Sequence, residues 1–267
     1  MFVHQLSIEI RKTLRHPALW LGLGALTFLL ASAIFIIHVQ IMNGYEDGSG
    51  GLEQDLLAGL AFFNWLGSLV YAVIGAVILV FDYTDRSIQL WLTRGVSRPV
   101  LLSARLVTIL LFSLLTVCFV VAVIMGLGVI SRSLFFGTVD ASNLNPSALL
   151  PTILRMFWSS LPYLALSVLL GILSRSPFFA AGGTIVYGSV VEQFIPALSA
   201  RAPWLTPYLP GSLSQALQSR NSALDLSALP LSMDSMPELQ VVLLIGGMFL
   251  VLSIASLAIF SRQDLGG

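Results

Sequence analysis

The charged and aromatic side chains that could bind a partner are concentrated in one short stretch, 82-DYTDRSIQLWLTRGVSR-98. It contains three of the chain's 13 lysines and arginines and separates two long apolar runs. Arginines beside an apolar Trp-Leu edge suit docking into a protein cleft, because aromatic and arginine side chains carry much of the energy of such interfaces. The alternative is a solvated loop whose arginines fix the orientation of neighbouring membrane helices, with Trp91 at the lipid interface. The residues of this stretch alone leave both interpretations open.

A second polar feature, the pair Glu192 and Gln193, lies inside an apolar run. If a helix begins near Phe178, Glu192 lies roughly 21 Å along it at 1.5 Å per residue. That depth is past the midplane of a hydrocarbon core about 30 Å thick. A carboxylate there is costly and must face protein or water. The functional interpretation is a cavity-lining pair, and the structural alternative is an ion pair between Glu192 and Arg201 or Arg155.

Motifs for catalysis, nucleotide binding and metal binding are absent from the sequence. The single lysine, Lys12, follows an arginine, whereas a phosphate-binding loop needs Gly-Lys-[Ser/Thr]. The three histidines are far apart and no His-Glu-x-x-His is present, which argues against a zinc site. We therefore predict no catalytic residue, metal ligand or cofactor on this chain, and no ATP hydrolysis by the chain alone.

The composition indicates that lipid solvates much of the surface. Hydrophobic residues make up 57% of the 267 residues and charged residues 10%, against about 25% charged in a typical soluble domain. The net charge is zero, which argues against a nucleic-acid partner. Cys118 is the only cysteine, so no intramolecular disulfide can form.

Six apolar stretches are long enough to cross a bilayer as helices, which takes about 20 residues each. They are 18–38, 57–81, 100–130, 149–173, 177–198 and 239–260. Six spans put both termini on one side, and that side would hold nine basic residues against four on the other. The excess of positive charge places both termini in the cytoplasm. The chain is thus predicted to be an all-α polytopic membrane protein with one transmembrane domain, residues 1–267.

Residues 1–17 are predicted to form an amphipathic elbow helix that lies flat in the cytoplasmic interface. Its apolar side chains fall within an arc of roughly 120° at 100° per residue. Arg11, Lys12 and Arg15 lie on the other side, and Pro17 ends the helix. The helix could be a simple anchor or could also touch a cytoplasmic partner.

The loops and the small residues give further expectations. The link 174-SRSP-177 predicts a tight cytoplasmic hairpin, and the outer segment 199–238 could contain re-entrant helices. Within it, 212–224 predicts a helical turn or two with Ser212 as the cap. Two groups of small residues are predicted to pack helices closely. They are the pairs Gly22/Gly24 and Gly126/Gly128, and the stripe Ser68, Ala72 and Ala76.

The stretch 82–98 resembles a pattern found in permeases of the ABC-2 type, the membrane subunits of ATP-binding-cassette exporters. That pattern reads roughly Glu-Tyr-x-x-Gly-Thr-[Ile/Leu]-x-x-x-Leu-x-Arg-Gly-Val-Ser-Arg, with a basic residue soon afterwards at the start of the third span. The ending 258-AIFSRQDLGG-267 also resembles the family's ending, and the layout of elbow, spans and outer loop agrees. Arg86 stands where the family usually has glycine, and Ser87 where it has threonine. The matching positions are Asp82, Tyr83, Ser87, Ile88, Leu92, Arg94, Gly95, Val96, Ser97, Arg98 and Arg105.

This resemblance implies a function in ATP-driven export. Two ATPase subunits, which carry ATP and magnesium, would assemble with this chain and a second permease copy, as a homodimer or homologous heterodimer. The loop between spans 2 and 3 would form a cytoplasmic coupling helix in a groove on the ATPase, and Ser174 and Arg175 would make a second, smaller contact. The location implied is a prokaryotic inner (cytoplasmic) membrane, with several passes through the bilayer. The residues expected to couple to the ATPase are Asp82, Asp85, Arg86, Gln89, Trp91, Arg94, Gly95 and Arg98.

Other functions are compatible with the same features. A non-transporting scaffold or a sensory subunit could use the same membrane frame. A polytopic membrane enzyme would need polar catalytic groups at one depth, and these are sparse here. A secondary transporter would normally contain an internal repeat and broken midplane helices, which the sequence does not reveal. No residue selects a cargo.

Overall fold

A computed structural model describes residues 2–44, 51–84, 97–142, 146–194, 204, 206–221 and 236–263. This part of the chain is 90% helix and contains no strand, which confirms the all-α prediction. The α-helices in these ranges are α1 (Phe2–Arg15), α2 (Pro17–Met42), α3 (Gly51–Thr84), α4 (Arg98–Phe135), α5 (Pro146–Ser174), α6 (Pro177–Val186), α7 (Pro210–Gln218) and α8 (Glu238–Arg262). A π-helical turn, Tyr187–Val191, and a 3-10 turn, Glu192–Phe194, continue α6, and a further 3-10 turn, Thr206–Tyr208, precedes α7.

Four of these helices, α2, α4, α5 and α8, are long and apolar enough to cross a membrane. Helix α3 becomes a fifth if its two parts, Gly51–Asn64 and Leu69–Leu79, form one span bent by 58°. The apolar run Pro177–Val191 is shorter than the four others. At 1.5 Å per residue it extends roughly 22 Å, less than the core thickness of about 30 Å. The structure therefore has four to five candidate spans, so the prediction of six is not confirmed, and the described helices make this a membrane protein.

The N-terminal helix α1 packs against α4 through polar side chains. Gln5, Glu9 and Thr13 recur every four residues and are all buried, whereas Val3 is 77% exposed and Leu14 44% exposed. Residues four apart lie on one face of a helix, so this face of α1 is polar and points into the bundle. The apolar arc seen in the sequence lies largely on the outside, where lipid can solvate it.

The small-residue stripe on α3 faces α5. Ala72 and Ala76 are buried, and the Ala72 carbonyl accepts a hydrogen bond of 2.9 Å from Ser167 Oγ. A Cβ atom at Gly75 would lie 2.7 Å from Ser167 Oγ and 2.8 Å from its Cβ. The two backbones therefore approach as closely as small residues in membrane helices permit. The expectation of close packing is confirmed for Ala72 and Ala76, whose partner is another helix of the same chain, and the side chain of Ser68 is outside those described.

The predicted packing glycines behave differently from one another. A Cβ atom at Gly128 would meet Leu52 at 3.0 Å and Asp55 at 3.1 Å, so this glycine allows α4 to approach α3. Gly22, Gly24 and Gly126 have no neighbouring atom within 4 Å of such a Cβ. The packing prediction is therefore correct for Gly128 and wrong for the other three, because α2 and the outer face of α4 leave them uncovered.

Helix α7, in the segment 199–238, begins three residues earlier than predicted. Pro210 occupies its first turn, Leu209 is the N-cap residue, and the cap lacks a side-chain hydrogen bond. A proline suits this position because its fixed φ matches the helix and its missing N–H would be unpaired anyway. Ser212 is thus buried inside the first turn, and its assignment as the cap was wrong.

Substitution of Gly75 tests the contact between α3 and α5. We expect Gly75→Ala to lower the free energy of unfolding by about 1–3 kcal/mol, the usual cost of overpacking. The matched control is Gly247→Ala in α8, where an added Cβ meets nothing within 4 Å. Thermal unfolding in detergent should give a lower midpoint for the first variant and an unchanged or raised midpoint for the second. Equal midpoints would contradict the close approach.

Candidate functional site

The stretch expected to dock on a partner lies between α3 and α4, and most of it falls outside the described residues. Helix α3 runs through Asp82 to Thr84, so its backbone extends into this stretch. Helix α4 begins at Arg98. The expected coupling residues that lie outside the described part are Asp85, Arg86, Gln89, Trp91, Arg94 and Gly95.

Arg98, the last residue of this stretch, holds the C-terminal end of α8. Its Nη1 atom donates hydrogen bonds to the carbonyl oxygens of Ser261 at 3.0 Å and Gln263 at 2.7 Å. The last carbonyls of a helix lack partners within the helix and carry partial negative charge, so a guanidinium there is favourable. Gln263 in turn donates from Nε2 to the carbonyl of Ile172 near the end of α5, at 2.7 Å. One arginine thereby connects the beginning of α4 with the ends of α8 and α5.

Arg105 makes a second connection two turns further along α4. Its side chain is fully buried, and its Nε lies 3.3 Å from Glu9 Oε1 on α1. Its Nη1 also donates to the carbonyl of Leu79 on α3 at 3.4 Å. We call Arg98, Arg105, Glu9 and Gln263 the arginine clamp. It joins five helices, α1, α3, α4, α5 and α8, at one end of the bundle.

The short link between α5 and α6 also lies at this end. Ser174 Oγ donates to the Leu170 carbonyl at 2.7 Å, and the Ser176 side chain caps the start of α6. Arg175 is exposed and has a φ of 54°, which side chains other than glycine seldom adopt. The tight hairpin is thus present, and it presents the Arg175 side chain at the surface.

Glu192, in the 3-10 turn that continues α6, packs against the first turn of α7 beside α5. Tyr163 of α5 donates from Oη to Glu192 Oε2 at 2.7 Å, and the backbone N–H of Gly211 also hydrogen-bonds the carboxyl group. A Cβ atom at residue 211 would lie 2.5 Å from Oε2, so only glycine allows this approach. The side chain of Gln193 is not among those described. Glu192 thus has a protein-facing position, as predicted for an acid inside an apolar run.

Arg155, one suggested partner of Glu192, binds elsewhere. It forms a salt bridge with Glu238 at 2.9 Å and donates to the carbonyl of Arg220 at 3.0 Å and to Asn221 Oδ1 at 3.2 Å. This network ties the start of α5 to the start of α8 and the end of α7. The other suggested partner, Arg201, is outside the described residues.

A row of hydroxyl and amide groups continues from Glu192 along the interface of α5 with α7 and α4. Ser214 Oγ donates to the Ser159 carbonyl at 2.9 Å, and Gln218 Nε2 donates to Ser159 Oγ at 2.7 Å. Ser113 and Ser160 join α4 to α5 at 3.2 Å. Helix α7 therefore packs on α5 through polar contacts and not through apolar contacts alone.

A third charged group joins α2, α3 and α4 at the end opposite the clamp. Arg132 donates to both carboxylate oxygens of Asp55, at 2.7 and 3.0 Å. His38 Nε2 lies 3.1 Å from Asp55 Oδ1 without the alignment of a hydrogen bond, and its ring packs on Phe135 and Phe136. Bidentate arginine–carboxylate pairs fix geometry as well as charge, so this group holds the three helix ends in register.

Sequence reasoning missed Glu9, Gln263 and the Asp55–Arg132 pair. One signal was present for Glu9: it is the only acidic residue before Glu46, and its i±4 neighbours Gln5 and Thr13 are polar. The sequence predicted Asp55 and Arg132 only as charges of the outer loops and not as a pair. In the described ranges, no three His, Cys, Asp or Glu side chains lie close enough to hold a metal ion.

The family model that matches this chain covers residues 24–265 and is described as "Protein of unknown function (DUF2705)". The chain belongs to the DUF2705 family. No curated protein matches the sequence. In this DUF2705 protein, the matched range includes the 82–98 stretch, Arg105, Glu192 and Gln263, whereas Glu9 precedes it.

A double-mutant cycle tests the buried pair of the arginine clamp in this DUF2705 protein. We expect Glu9→Gln to lower the free energy of unfolding by about 3 kcal/mol, because it leaves the Arg105 guanidinium buried without its charge partner. Arg105→Gln should then lower the free energy of unfolding by less in the Glu9→Gln variant than in the wild type. The difference, which is the coupling energy, should be about 0.5–3 kcal/mol. Denaturant unfolding in detergent gives these values, with Glu53→Gln as the control. Purely additive effects would mean that the two residues do not interact.

Proposed function

We propose that this chain is the permease subunit of an ATP-driven exporter of the ABC-2 type. In this proposal two copies of an ATPase subunit bind at the cytoplasmic face, and a second permease copy completes the assembly in a bacterial-type inner membrane. The chain supplies no nucleotide site. ATP and magnesium bind to the ATPase, and this chain converts the motion of the ATPase into movement of its helices.

The observation that carries this proposal is the position of Arg98. It ends the stretch that resembles a coupling helix, and its guanidinium holds the last carbonyls of α8 at 2.7 and 3.0 Å. Gln263 passes the connection to α5. A displacement of the docking stretch would therefore reach three of the long apolar helices through short hydrogen bonds.

The grouping of helix ends in the structure supports the membrane topology that the proposal requires. The arginine clamp unites the end of α1, the end of α3, the start of α4 and the ends of α5 and α8. The Asp55–Arg132 pair and the Arg155–Glu238 pair unite the opposite ends. In a six-span arrangement, with residues 177–198 as the fifth span and α1 as the elbow, the first set is cytoplasmic. The docking stretch 82–98 then faces the ATPase.

The mechanism is a rigid-body switch between two arrangements. ATP binding favours association of the two ATPase subunits. This step can shift the permease toward one of its two arrangements only if the associated ATPase subunits bind that arrangement more tightly than the other. The coupling stretches are drawn together, and α4, α5 and α8 move as units because the clamp joins them. Packed helices exchange between discrete arrangements rather than deforming continuously. Hydrolysis and release of the products reverse the change.

Charge reversal in the docking stretch tests the contact with the ATPase. We expect Arg94→Glu to reduce co-purification of the ATPase at least tenfold, because loss of a buried charge partner at an interface costs about 2–5 kcal/mol. Quantitative pull-down of the ATPase with this chain from membranes measures the co-purification. Arg201→Glu, in the outer segment, is the matched control and should leave assembly unchanged. Equal recovery with both variants would remove Arg94 from the interface.

The variant Gln263→Ala tests whether motion of the ATPase reaches α8, separately from whether the ATPase binds. The experiment does not require the cargo to be known. The experiment uses a chain that carries Cys118→Ser and Leu239→Cys. Leu239 is 69% exposed and lies at the end of α8 opposite the arginine clamp. The new cysteine is labelled with a maleimide, with and without ATP trapped on the ATPase. We expect ATP to change the labelling rate severalfold in this background but not after Gln263→Ala, with ATPase binding retained in both.

The control for this experiment is Gln215→Ala, an exposed glutamine on α7, which should preserve the response to ATP. A full response in the Gln263→Ala chain would show that α8 does not move through this contact.

A further inference from the structure

An apolar groove runs between α2 and α3. It has a volume of about 190 Å³ and lies between residues 18–29 of α2 and residues 66–78 of α3, and Thr13 of α1 also lines it. Its rim is open, because Leu29 and Leu69 are 40% and 42% exposed. A dry apolar cavity of about 150 Å³ in a protein can hold a benzene molecule, so this α2–α3 groove has room for part of a hydrocarbon chain.

The groove opens where α2 and α3 separate, toward the end of the bundle that holds the arginine clamp. In the second half of α2, Leu30, Ile34 and His38 recur every four residues and are buried. In the first half, a Cβ atom at Gly22 would meet no described atom within 4 Å. On the other side, the groove lies beside the part of α3 that follows its bend of 58°. Packing among the described helices therefore leaves this space unfilled.

The lining of the groove is suited to an apolar occupant. Among the described residues that line it, only Thr13 and Thr116 carry a polar side-chain atom. Both hydroxyls donate within their own helices, to the carbonyls of Glu9 at 2.9 Å and Phe112 at 2.7 Å. The other lining residues are glycine, alanine, valine, leucine and isoleucine. A polar ligand would lose its hydrogen bonds to water here without gaining others, which favours a hydrocarbon.

The length of the groove matches one leaflet of a bilayer. From Ala18 to Leu29 the groove extends roughly 16 Å at 1.5 Å per residue, and half of the hydrocarbon core is about 15 Å thick. Trp20, near the Ala18 end, is 60% exposed, and its Nε1 donates to the Leu14 carbonyl at 2.9 Å. Exposed tryptophans of membrane proteins collect at the membrane–water interface. The groove therefore extends from the interface to about the middle of the bilayer, as one acyl chain does.

Positive charge lies at the interfacial end of the groove. Thr13, which lines the groove, belongs to the last turn of α1 together with the basic residues Lys12 and Arg15. Arg15 is exposed and forms no salt bridge in the described part of the chain. Its long side chain begins two residues from Thr13, so the guanidinium can reach a group at the mouth of the groove. The planar guanidinium is well suited to bind a phosphate.

We propose that the α2–α3 groove binds an anionic phospholipid of the leaflet on the clamp side, with one acyl chain in the groove and the phosphate bound by Arg15. The proposal requires only this chain and is independent of the proposed transport function. The aliphatic lining selects a hydrocarbon, the depth fits a single chain of one leaflet, and Arg15 selects a negative headgroup. The lipid fills the space between α2 and α3 and holds the junction of α1 and α2 against α3.

The headgroup contact is tested by native mass spectrometry of the purified chain in detergent, titrated with phosphatidylglycerol or with phosphatidylcholine of the same acyl chains. We expect one phosphatidylglycerol to bind saturably per chain, and phosphatidylcholine to bind about fivefold more weakly. Arg15→Gln should weaken phosphatidylglycerol binding about fivefold, since one basic residue near an anionic lipid contributes roughly 1 kcal/mol, and should leave phosphatidylcholine binding unchanged. Arg262→Gln, at an exposed arginine of α8 away from the groove, is the matched control and should change neither.

The groove itself is tested by filling it. Gly22→Leu adds a side chain where a Cβ atom meets nothing described within 4 Å, and it should reduce binding of both lipids at least tenfold. Gly24→Leu is the matched control, because its Cβ is equally free but the residue does not line the groove, and it should bind both lipids as the wild type does. If Gly22→Leu does not fold, Ala25→Phe fills the same groove.

A second measurement uses thermal unfolding of the same variants. Saturating phosphatidylglycerol should raise the midpoint of the wild type and of Gly24→Leu but not that of Gly22→Leu. Glycerol phosphate, which has the phosphate without the chains, should not compete with the lipid. Equal lipid binding by Gly22→Leu and Gly24→Leu would overturn the proposal. So would a Gly22→Leu chain that binds lipid normally but loses a dimer, because the groove would then be an interface between two copies.

Discussion

A charge buried in a lipid-solvated bundle is stable only when another helix supplies its partner, and this constraint organises the structure. Arg105 of α4 has Glu9 of α1, and Arg132 at the other end of the same helix has Asp55 of α3. Removing water strengthens each attraction but also makes each unpaired charge expensive. The pairs therefore specify which helix ends meet. Helix α4, at 38 residues the longest in the described part, carries an arginine for each end and acts as the common strut.

The helical layout could be predicted because it depends on runs of apolar residues. Each predicted span lies largely within a helix or helical run of the described part. The bend of 58° in α3 and the π turn before Glu192 could not be predicted in the same way. Both depend on how neighbouring helices pack, and a single sequence does not contain that information in any local pattern.

The sequence indicated which polar residues are unusual, but not which partners they contact. Glu192 was identified by its depth, but its partners, Tyr163 and the Gly211 N–H, come from segments 29 and 19 residues away and carry no charge. Arg98 was identified through its place in a resemblance, whereas its contact with the end of α8 joins residues more than 160 positions apart. Long-range hydrogen bonds to backbone carbonyls leave no signature in side-chain type, which is why Gln263 was not singled out.

We propose that residues 82–98 form a cytoplasmic contact through which an ATPase moves the helices. A photoreactive amino acid in place of Trp91, cross-linked in the native membrane and identified by mass spectrometry, tests this most directly. Such a contact predicts a cross-link to a protein that contains a phosphate-binding loop, and the cross-link should be lost when the cells are depleted of that protein. Labelling of the same position by a membrane-impermeant reagent from outside the cell, or no cross-link in the intact assembly, would contradict it.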